Sequence, residues 1–320
     1  MNPDLADSTA DDSLADPGRT CPLHYRYGAA ALADNRADLV TDTLYVVGGL
    51  YGNRPALDAL EHLFACERGD ARLMFNGDFH WFDIDPACFG DVQRRVRAHD
   101  AIAGNVEAEL ADGSGDAGCG CSYPDDVPQA LVDRSNLIHT LLSRTARHDP
   151  HWRGELAALD FWRGVRIGDA RVGVVHGDAD SLAGWSFDAR TLRQAASGAR
   201  YTELFARARC DVFASSHTCL PALKRFDGRA VINNGAAGMP NFRDRLCGVI
   251  SRIALTPSPH PVLYGTRVGA LHVDALALDY DRAAWRAEFT AQWPDGSAAA
   301  LNYRDRIDHG PGWTLEEAAP

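Results

Sequence analysis

Four polar residues stand at the carboxyl ends of four separate apolar segments, and this recurrence restricts the possible fold more than any other feature of the sequence. Short apolar segments of this kind are typical of buried strands. In α/β folds, ligands bind outside the carboxyl ends of the strands. The sequence therefore predicts one site built from residues that are far apart along the chain. The segments lie near 72–75, 101–103, 171–176 and 211–214, and the polar residues are Asp78, Asn105, His176 and His217.

The segments between these strands have the pattern of helices. Residues 44–47 are predicted to form a strand, and residues 54–67 after it show helical spacing of apolar residues, with Pro55 in the first turn. A further helix is predicted from about 128 to 148. This alternation of strand, loop and helix indicates an α/β fold class.

The chain of 320 residues suits one domain with appendages. Residues 1–20 are rich in Asp, Ala and Ser, which predicts a disordered acidic leader. The domain is expected over residues 21–281. Within it, a stretch near 108–126 is rich in Gly, Asp and Cys and is predicted to be an inserted loop. Residues 282–320 are predicted to form a C-terminal appendage.

The charge of the chain restricts its partners. The net charge of −12 at pH 7 argues against general binding to nucleic acid or to an anionic membrane. A small phosphate ester stays compatible with this charge, because a local cation can bind one inside an acidic protein. The N-terminal residues lack a signal peptide pattern and no apolar stretch is long enough for a membrane span, so a cytoplasmic protein is expected. The sequence leaves the oligomeric state open.

The four strand-end residues offer a carboxylate, an amide oxygen and two imidazoles. This donor set suits a borderline divalent ion such as Mn, Fe, Zn or Ni. Taken singly, each residue also has an ordinary structural explanation. Asp78 and Asn105 follow glycines and suit turns, whereas His176 and His217 suit a strand cap or a hydrogen-bonded core histidine. The residue types alone leave both interpretations open.

Five short motifs occur in an order that is typical of one enzyme family. They are Gly49-Leu-Tyr51-Gly-Asn53, Gly77-Asp78, Gly104-Asn105-Val106-Glu107, His176-Gly177 and Ser216-His217-Thr218-Cys219. The set resembles the motifs of calcineurin-like metallophosphoesterases, nearest the compact bacterial phosphodiesterase branch. The resemblance implies a sandwich of two mixed β-sheets flanked by helices. It also implies hydrolysis of a small phosphorylated substrate, a phosphomonoester or phosphodiester, by a metal-activated water.

The resemblance implies two metal sites, of which one is intact in this sequence. The family's second ion takes an aspartate, an asparagine and two histidines, and all four residues are present. The first ion shares the aspartate, but its other three positions hold Gly49, Tyr51 and Cys219. The sequence therefore predicts an atypical metal-dependent phosphoester hydrolase with one divalent ion per chain. A non-catalytic metal-binding or scaffold protein on the same fold is the alternative.

Four residues are candidates for metal-binding or catalytic roles in a site that lacks the first ion. Cys219 can remain as a soft metal ligand. Tyr51 can donate a hydrogen bond to a phosphoryl oxygen, or it is a packed aromatic residue. His80 can replace a lost ligand or act as a general acid, or it is a surface loop histidine. Glu107 is expected to assist catalysis by holding the ligands in place.

The pair Cys119 and Cys121 lies in the predicted inserted loop. Its spacing is too close for the usual Cys-x-x-Cys zinc motif. The two thiols can supply ligands to the substituted metal site, act in redox chemistry, or be inert. A redox or metal-sensing role through these two residues and Cys219 is a third functional hypothesis.

Overall fold

The computed structural model describes residues 16–194 and 198–319, and these contain twelve strands. In chain order they are β1 (Leu39–Val40), β2 (Thr43–Val47), β3 (Ala71–Asn76), β4 (Asp100–Ile102), β5 (Trp162–Ile167), β6 (Ala170–Val175), β7 (Val212–Ser215), β8 (Pro221–Phe226), β9 (Arg229–Asn234), β10 (Gly248–Ala254), β11 (Val262–Val268) and β12 (Leu271–Leu278).

The strands form two six-stranded sheets. One has the order β1-β5-β6-β7-β9-β8, and the other has the order β11-β12-β10-β2-β3-β4. Each sheet mixes parallel and antiparallel pairs: β2, β3 and β4 run parallel in one, and β6, β7 and β9 run parallel in the other. The predicted fold class, an α/β sandwich of two mixed sheets flanked by helices, is confirmed.

Ten α-helices lie in the described part of the chain, and none of them is long and apolar enough to cross a membrane. They are α1 (Arg54–Phe64), α2 (Pro86–Val96), α3 (Asn105–Asp112), α4 (Gln129–Ala146), α5 (Pro150–Ala157), α6 (Ala189–Gln194), α7 (Ala199–Ala208), α8 (Arg282–Gln292), α9 (Ala298–His309) and α10 (Leu315–Ala318). The side chain of Asn53 accepts a hydrogen bond from the Ala56 amide at 2.9 Å, which caps α1 in front of Pro55.

Strand β2 shows why the sheets are buried on both faces. Leu44 and Val46 pack into the core between the two sheets, whereas Tyr45 and Val47 pack into a second core against the helices. Side chains alternate across a strand, so a continuous apolar run supplies both cores. Burial of both faces holds the strand ends at fixed positions. The residues that directly follow β3, β4, β6 and β7 are therefore also held at fixed positions.

A disordered leader was predicted for residues 1–20. Residues 1–15 of it lie outside the described residues. From residue 16 onwards the chain contacts the predicted insert and the residues just after it. The Gly18 amide donates to the Ala117 carbonyl at 2.8 Å, and Nη2 of Arg19 donates to the Val127 carbonyl at 2.7 Å.

The predicted inserted loop near 108–126 begins later than expected, because helix α3 continues to Asp112. The Glu107 side chain accepts a hydrogen bond from the Gly104 amide at 2.9 Å, which stabilises the first turn of this helix. Gly113, with φ of 70°, ends it in a left-handed conformation. The irregular segment therefore starts at Gly113.

Residues 282–319, which fall in the predicted C-terminal appendage, pack against the domain through α8 and α9. Trp285, Phe289 and Trp293 are buried in the same core as α1 and β2. The Trp293 indole donates to the Phe82 carbonyl at 2.7 Å. Helix α9 also forms one wall of the site described below.

Candidate metal centre

The four predicted ligand residues converge at the carboxyl ends of β3, β4, β6 and β7. Nε2 of His176 lies 3.0 Å from Oδ1 of Asn105, 3.4 Å from Oδ1 of Asp78 and 3.2 Å from Nδ1 of His217. The ligand atoms of Asp78, His176 and His217 all lie within 4.8 Å of one another. All four side chains are buried. The folded chain thus brings together residues that the sequence spreads over more than a hundred positions.

The histidine rings are oriented by backbone carbonyls on their outer sides. Nδ1 of His176 donates to the Asn76 carbonyl at 2.8 Å, and Nε2 of His217 donates to the Cys121 carbonyl at 3.1 Å. A carbonyl can only accept, so each of these nitrogens carries the proton of the neutral ring. In the neutral form of both rings, the two inner nitrogens carry no proton, and their lone pairs face each other.

The Asn105 amide is oriented in the same way. Its Nδ2 donates to the Cys119 carbonyl at 2.8 Å, which turns Oδ1 towards the histidines. The Cys119–Cys121 segment therefore acts on the site through two backbone carbonyls. Both of its thiols are buried, and burial raises the pKa of the Cys121 thiol well above its usual value. Neither thiol belongs to the ligand cluster in the described part of the chain.

The donor set fits a divalent cation. Donor atoms that share one ion at about 2.1 Å lie roughly 3 to 3.4 Å apart, and the distances from His176 to its neighbours have these values. When both histidine rings are neutral, lone pairs converge without a donor among them, which is unfavourable unless a positive charge is present. Asp78, Asn105, His176 and His217 would hold the ion.

The ionisation of the residues agrees with cation binding. Burial, and then the nearby His176, lower the pKa of His217 to about 3, so this ring is neutral near pH 7. Burial opposes ionisation of Asp78, but the two histidines and the hydrogen bond from the Val106 amide together outweigh burial, and the pKa of Asp78 is lowered. Burial likewise opposes a charge on His176, yet Asp78 raises the pKa of His176. The site therefore attracts positive charge.

Glu107 holds the loop that carries Asp78. Its Oε2 accepts from the Asp78 amide at 2.7 Å, and its Oε1 accepts from the amides of Phe79 at 3.1 Å and His80 at 3.3 Å. Asp78 itself has φ of 53°, a conformation that costs free energy for a residue with a side chain. A Cβ atom on Gly104 would lie 2.3 Å from Oδ1 of Asp78, so only glycine fits beside the carboxylate.

Two solved structures resemble this one over most of the chain. A hypothetical protein from Pyrococcus horikoshii OT3 aligns with 86% of this chain and 100% of its own, with a TM-score of 0.59 and 15% identity. A metallophosphoesterase from Sphaerobacter thermophilus aligns with 84% of this chain and 100% of its own, with a TM-score of 0.54 and 16% identity. The chain has the metallophosphoesterase fold. No protein-family model matches the sequence, and no curated protein matches it.

A tyrosine ring fills the space beside Gly49, at one of the positions where the sequence predicted a substituted metal site. The Tyr51 hydroxyl lies 2.8 Å from the Cys219 sulfur. A Cβ atom on Gly49 would lie 2.9 Å from the Tyr51 ring, so the ring occupies the space that a side chain at position 49 would need. Burial raises the pKa of both Tyr51 and Cys219, which keeps both groups protonated. A protonated thiol is a poor metal ligand, and Cys219 lies outside the described ligand cluster.

His80 does not reach the site, although it is only two residues from Asp78. Its ring is fully buried and stacks on Phe89, with ring centroids 3.7 Å apart. Nδ1 lies 2.6 Å from Oδ2 of Asp83, and Nε2 lies 2.9 Å from Oε1 of Gln93. Both nitrogens are thus engaged away from the pocket, so the general-acid and replacement-ligand roles considered for His80 are not retained. The alternative, a surface histidine, is also wrong.

A small pocket of about 180 Å³ opens over the ligand cluster. Asp78, Asn105 and His217 form its floor, and Tyr51 and Cys219 form one side. The sequence patterns did not identify the rest of its lining. It includes four aromatic residues and one arginine: Trp81, Tyr123, Trp185, Tyr303 and Arg306. The i,i+3 spacing of the last two on helix α9 was the only local signal that they share a face.

Proposed function

We propose that the protein is a phosphoester hydrolase that uses one divalent ion, held by Asp78, Asn105, His176 and His217. The observation that carries this proposal is the convergence of donor atoms from four buried residues, three of which, Asp78, Asn105 and His217, line a pocket. The metallophosphoesterase fold supports it, because the donors stand at the strand ends where such folds place ligands.

The mixed nitrogen and oxygen donor set suits Mn, Fe, Zn or Ni. When bound, such an ion would lower the pKa of a coordinated water and act as a Lewis acid on the phosphoryl group. Glu107 keeps the Asp78 loop in position through its hydrogen bonds to backbone amides. Tyr51 lines the pocket and stays protonated, so it is available as a hydrogen-bond donor to a phosphoryl oxygen.

The pocket volume limits the substrate. At about 180 Å³ it is smaller than the roughly 300–1,000 Å³ of ordinary ligand sites, so a small phosphorylated molecule is favoured over a polymer. The aromatic walls favour a substrate with an apolar group next to the phosphate.

The test is hydrolysis of 4-nitrophenyl phosphate and bis(4-nitrophenyl) phosphate by protein that has been reconstituted with Mn. The Asp78→Ala variant is expected to lose at least about a hundredfold in kcat/KM, because it removes a ligand and the fixed negative charge. Asp295→Ala is the matched control, since that side chain is 93% exposed and distant from the pocket lining. Turnover that survives in Asp78→Ala, or no turnover by the loaded wild-type protein, would contradict the proposal.

A non-catalytic metal-binding protein on the same fold is the second candidate. The observation that favours it is the Tyr51 ring, which fills the substituted half of the site. This candidate predicts that the loaded protein binds an ion and phosphate but hydrolyses neither ester. The activity assay above separates the two.

A further inference from the structure

Arg306 on helix α9 points its guanidinium group at the substituted half of the site. Its Nη2 donates to the Cys219 carbonyl at 2.7 Å, and its Nε donates to the Pro240 carbonyl at 3.1 Å. These two bonds fix the plane and position of the group. Arg306 lines the same pocket as Asp78 and His217. A cationic group therefore stands beside the residue that replaces a lost ligand.

The charge of Arg306 is not neutralised by a partner. Two other arginines, one on α9 and one on α8, are paired: Arg304 lies 3.4 Å from Asp295, and Arg286 lies 2.7 Å from Asp308. Within the described ranges, 16–194 and 198–319, Arg306 pairs with no carboxylate, and its Nη1 forms no hydrogen bond. An arginine held by neutral carbonyls in a partly buried pocket is available to an anion.

We propose that Arg306 is the anion subsite of the pocket and binds a phosphoryl oxygen of a small aromatic phosphoester. This inference rests on the proposed function. Two-ion sites stabilise the charge on the transferring phosphoryl group with both metal ions. In a one-ion site, another cation must supply part of that stabilisation, and Arg306 is the cation that the described pocket lining contains.

The geometry of Arg306 restricts how it binds the phosphate. Nε and one N–H of Nη2 are engaged, so both N–H groups of Nη1 and the second N–H of Nη2 stay free, and we assign Nη1 to the ligand. The phosphate then lies between Nη1 and the donor cluster. The ester group is left against the aromatic wall formed by Tyr123, Trp185 and Tyr303. Trp185 is held in that wall by its indole, which donates to the Cys121 carbonyl at 3.2 Å.

The test measures binding of inorganic phosphate to the Mn-loaded protein by calorimetry, together with bound metal and steady-state kinetics. Arg306→Gln is expected to keep one Mn per chain and to weaken phosphate binding at least tenfold. It should also lower kcat/KM for 4-nitrophenyl phosphate about a hundredfold, with part of both losses restored in Arg306→Lys. Arg286→Gln is the matched control, because that arginine is 56% exposed in a surface ion pair, and it should behave as wild type.

A phosphate Kd in Arg306→Gln within twofold of wild type would overturn the inference. If that variant does not fold, a crystal structure of the wild-type protein with Mn and phosphate decides. A phosphate oxygen within hydrogen-bonding distance of Nη1 supports the subsite, and phosphate bound without this contact refutes it. If phosphate binding depends on Arg306 but the protein has no turnover, the hydrolase proposal is rejected and the anion subsite is kept. If Arg306→Gln leaves turnover unchanged, the anion subsite is rejected and the hydrolase proposal is kept.

Discussion

Nδ1 of His217 lies 3.2 Å from Nε2 of His176, and in the neutral rings neither nitrogen has a proton to donate to the other. Both protons are committed to backbone carbonyls on the outer sides of the rings. Oδ1 of Asn105 adds a third acceptor at 3.0 Å from His176. This arrangement is stabilised by a cation and weakened without one.

Removal of the ion should therefore lower the melting temperature. At a free ion concentration a hundred times its Kd, binding adds about 2.7 kcal/mol to the free energy of unfolding. We expect treatment with a chelator to lower the Tm by several degrees and Mn to restore it, as measured by calorimetry. In His217→Ala the Tm should respond weakly to either treatment. An identical Tm for chelated and Mn-loaded wild-type protein would contradict this expectation.

Glu107→Gln should weaken metal binding without removing a ligand. In the wild-type protein, the backbone amides of residues 78–80 donate to the Glu107 carboxylate. The substitution places an NH2 group, which cannot accept these hydrogen bonds, opposite some of those amides. Residues that hold ligands in place typically contribute 10- to 100-fold to metal affinity, so a loss of about that size is expected in a Mn titration. Glu316→Gln, on the terminal helix α10, serves as the control. An unchanged Mn affinity in Glu107→Gln would show that the Asp78 loop keeps its shape without the carboxylate.

The substituted half of the site should be restorable. Gly49→Asp alone is expected to destabilise the protein by about 1–3 kcal/mol, because its Cβ would lie 2.9 Å from the Tyr51 ring. Combining it with Tyr51→His and Cys219→His removes the ring and supplies three donors. The triple variant should bind two Mn ions per chain, whereas Tyr51→His alone should bind one. If the folded triple variant still binds a single ion, the space around Gly49, Tyr51 and Cys219 is not a former metal site.

Trp293→Ala should show that the C-terminal helices belong to the domain core. Trp293 is buried, and its indole donates to the Phe82 carbonyl at 2.7 Å. Loss of a buried aromatic side chain of this kind costs about 3–5 kcal/mol of the free energy of unfolding, measurable by urea denaturation. Leu301→Ala, at a side chain that is 61% exposed on α9, should change it by less than about 0.5 kcal/mol. Equal effects of the two changes would make the C-terminal segment an appendage after all.

The sequence predicted the α/β fold class from its alternation of strands and helices, and the four convergent donors from their positions after strands together with the order of the five family-like motifs. Each donor follows an apolar strand, and parallel strands place their carboxyl ends at one edge. It could not place Tyr303 and Arg306, since the docking of α9 on the pocket depends on packing between segments distant in sequence. The sequence also could not show how residues 119–121 orient the ligands. They do so through backbone carbonyls, whereas the sequence analysis considered only their thiols.

The position of His80 was mispredicted for a conformational reason. Its proximity to Asp78 in sequence suggested proximity in the site. The left-handed conformation of Asp78, with φ of 53°, redirects the chain there. The side chain of His80 is consequently buried against Asp83 and Phe89. Backbone conformations of this kind are rare for residues with a side chain and are not evident from residue types.

The central claim is that the chain binds one divalent ion through its histidine-containing half-site, and metal analysis tests it most directly. Wild-type protein, His217→Ala and Cys219→Ala should each be loaded with Mn, desalted and measured by mass spectrometry of the metal. The account predicts one ion per chain in wild type and in Cys219→Ala, and far less than one in His217→Ala. Two ions in the wild-type chain, or an ion that survives His217→Ala and disappears in Cys219→Ala, would contradict it.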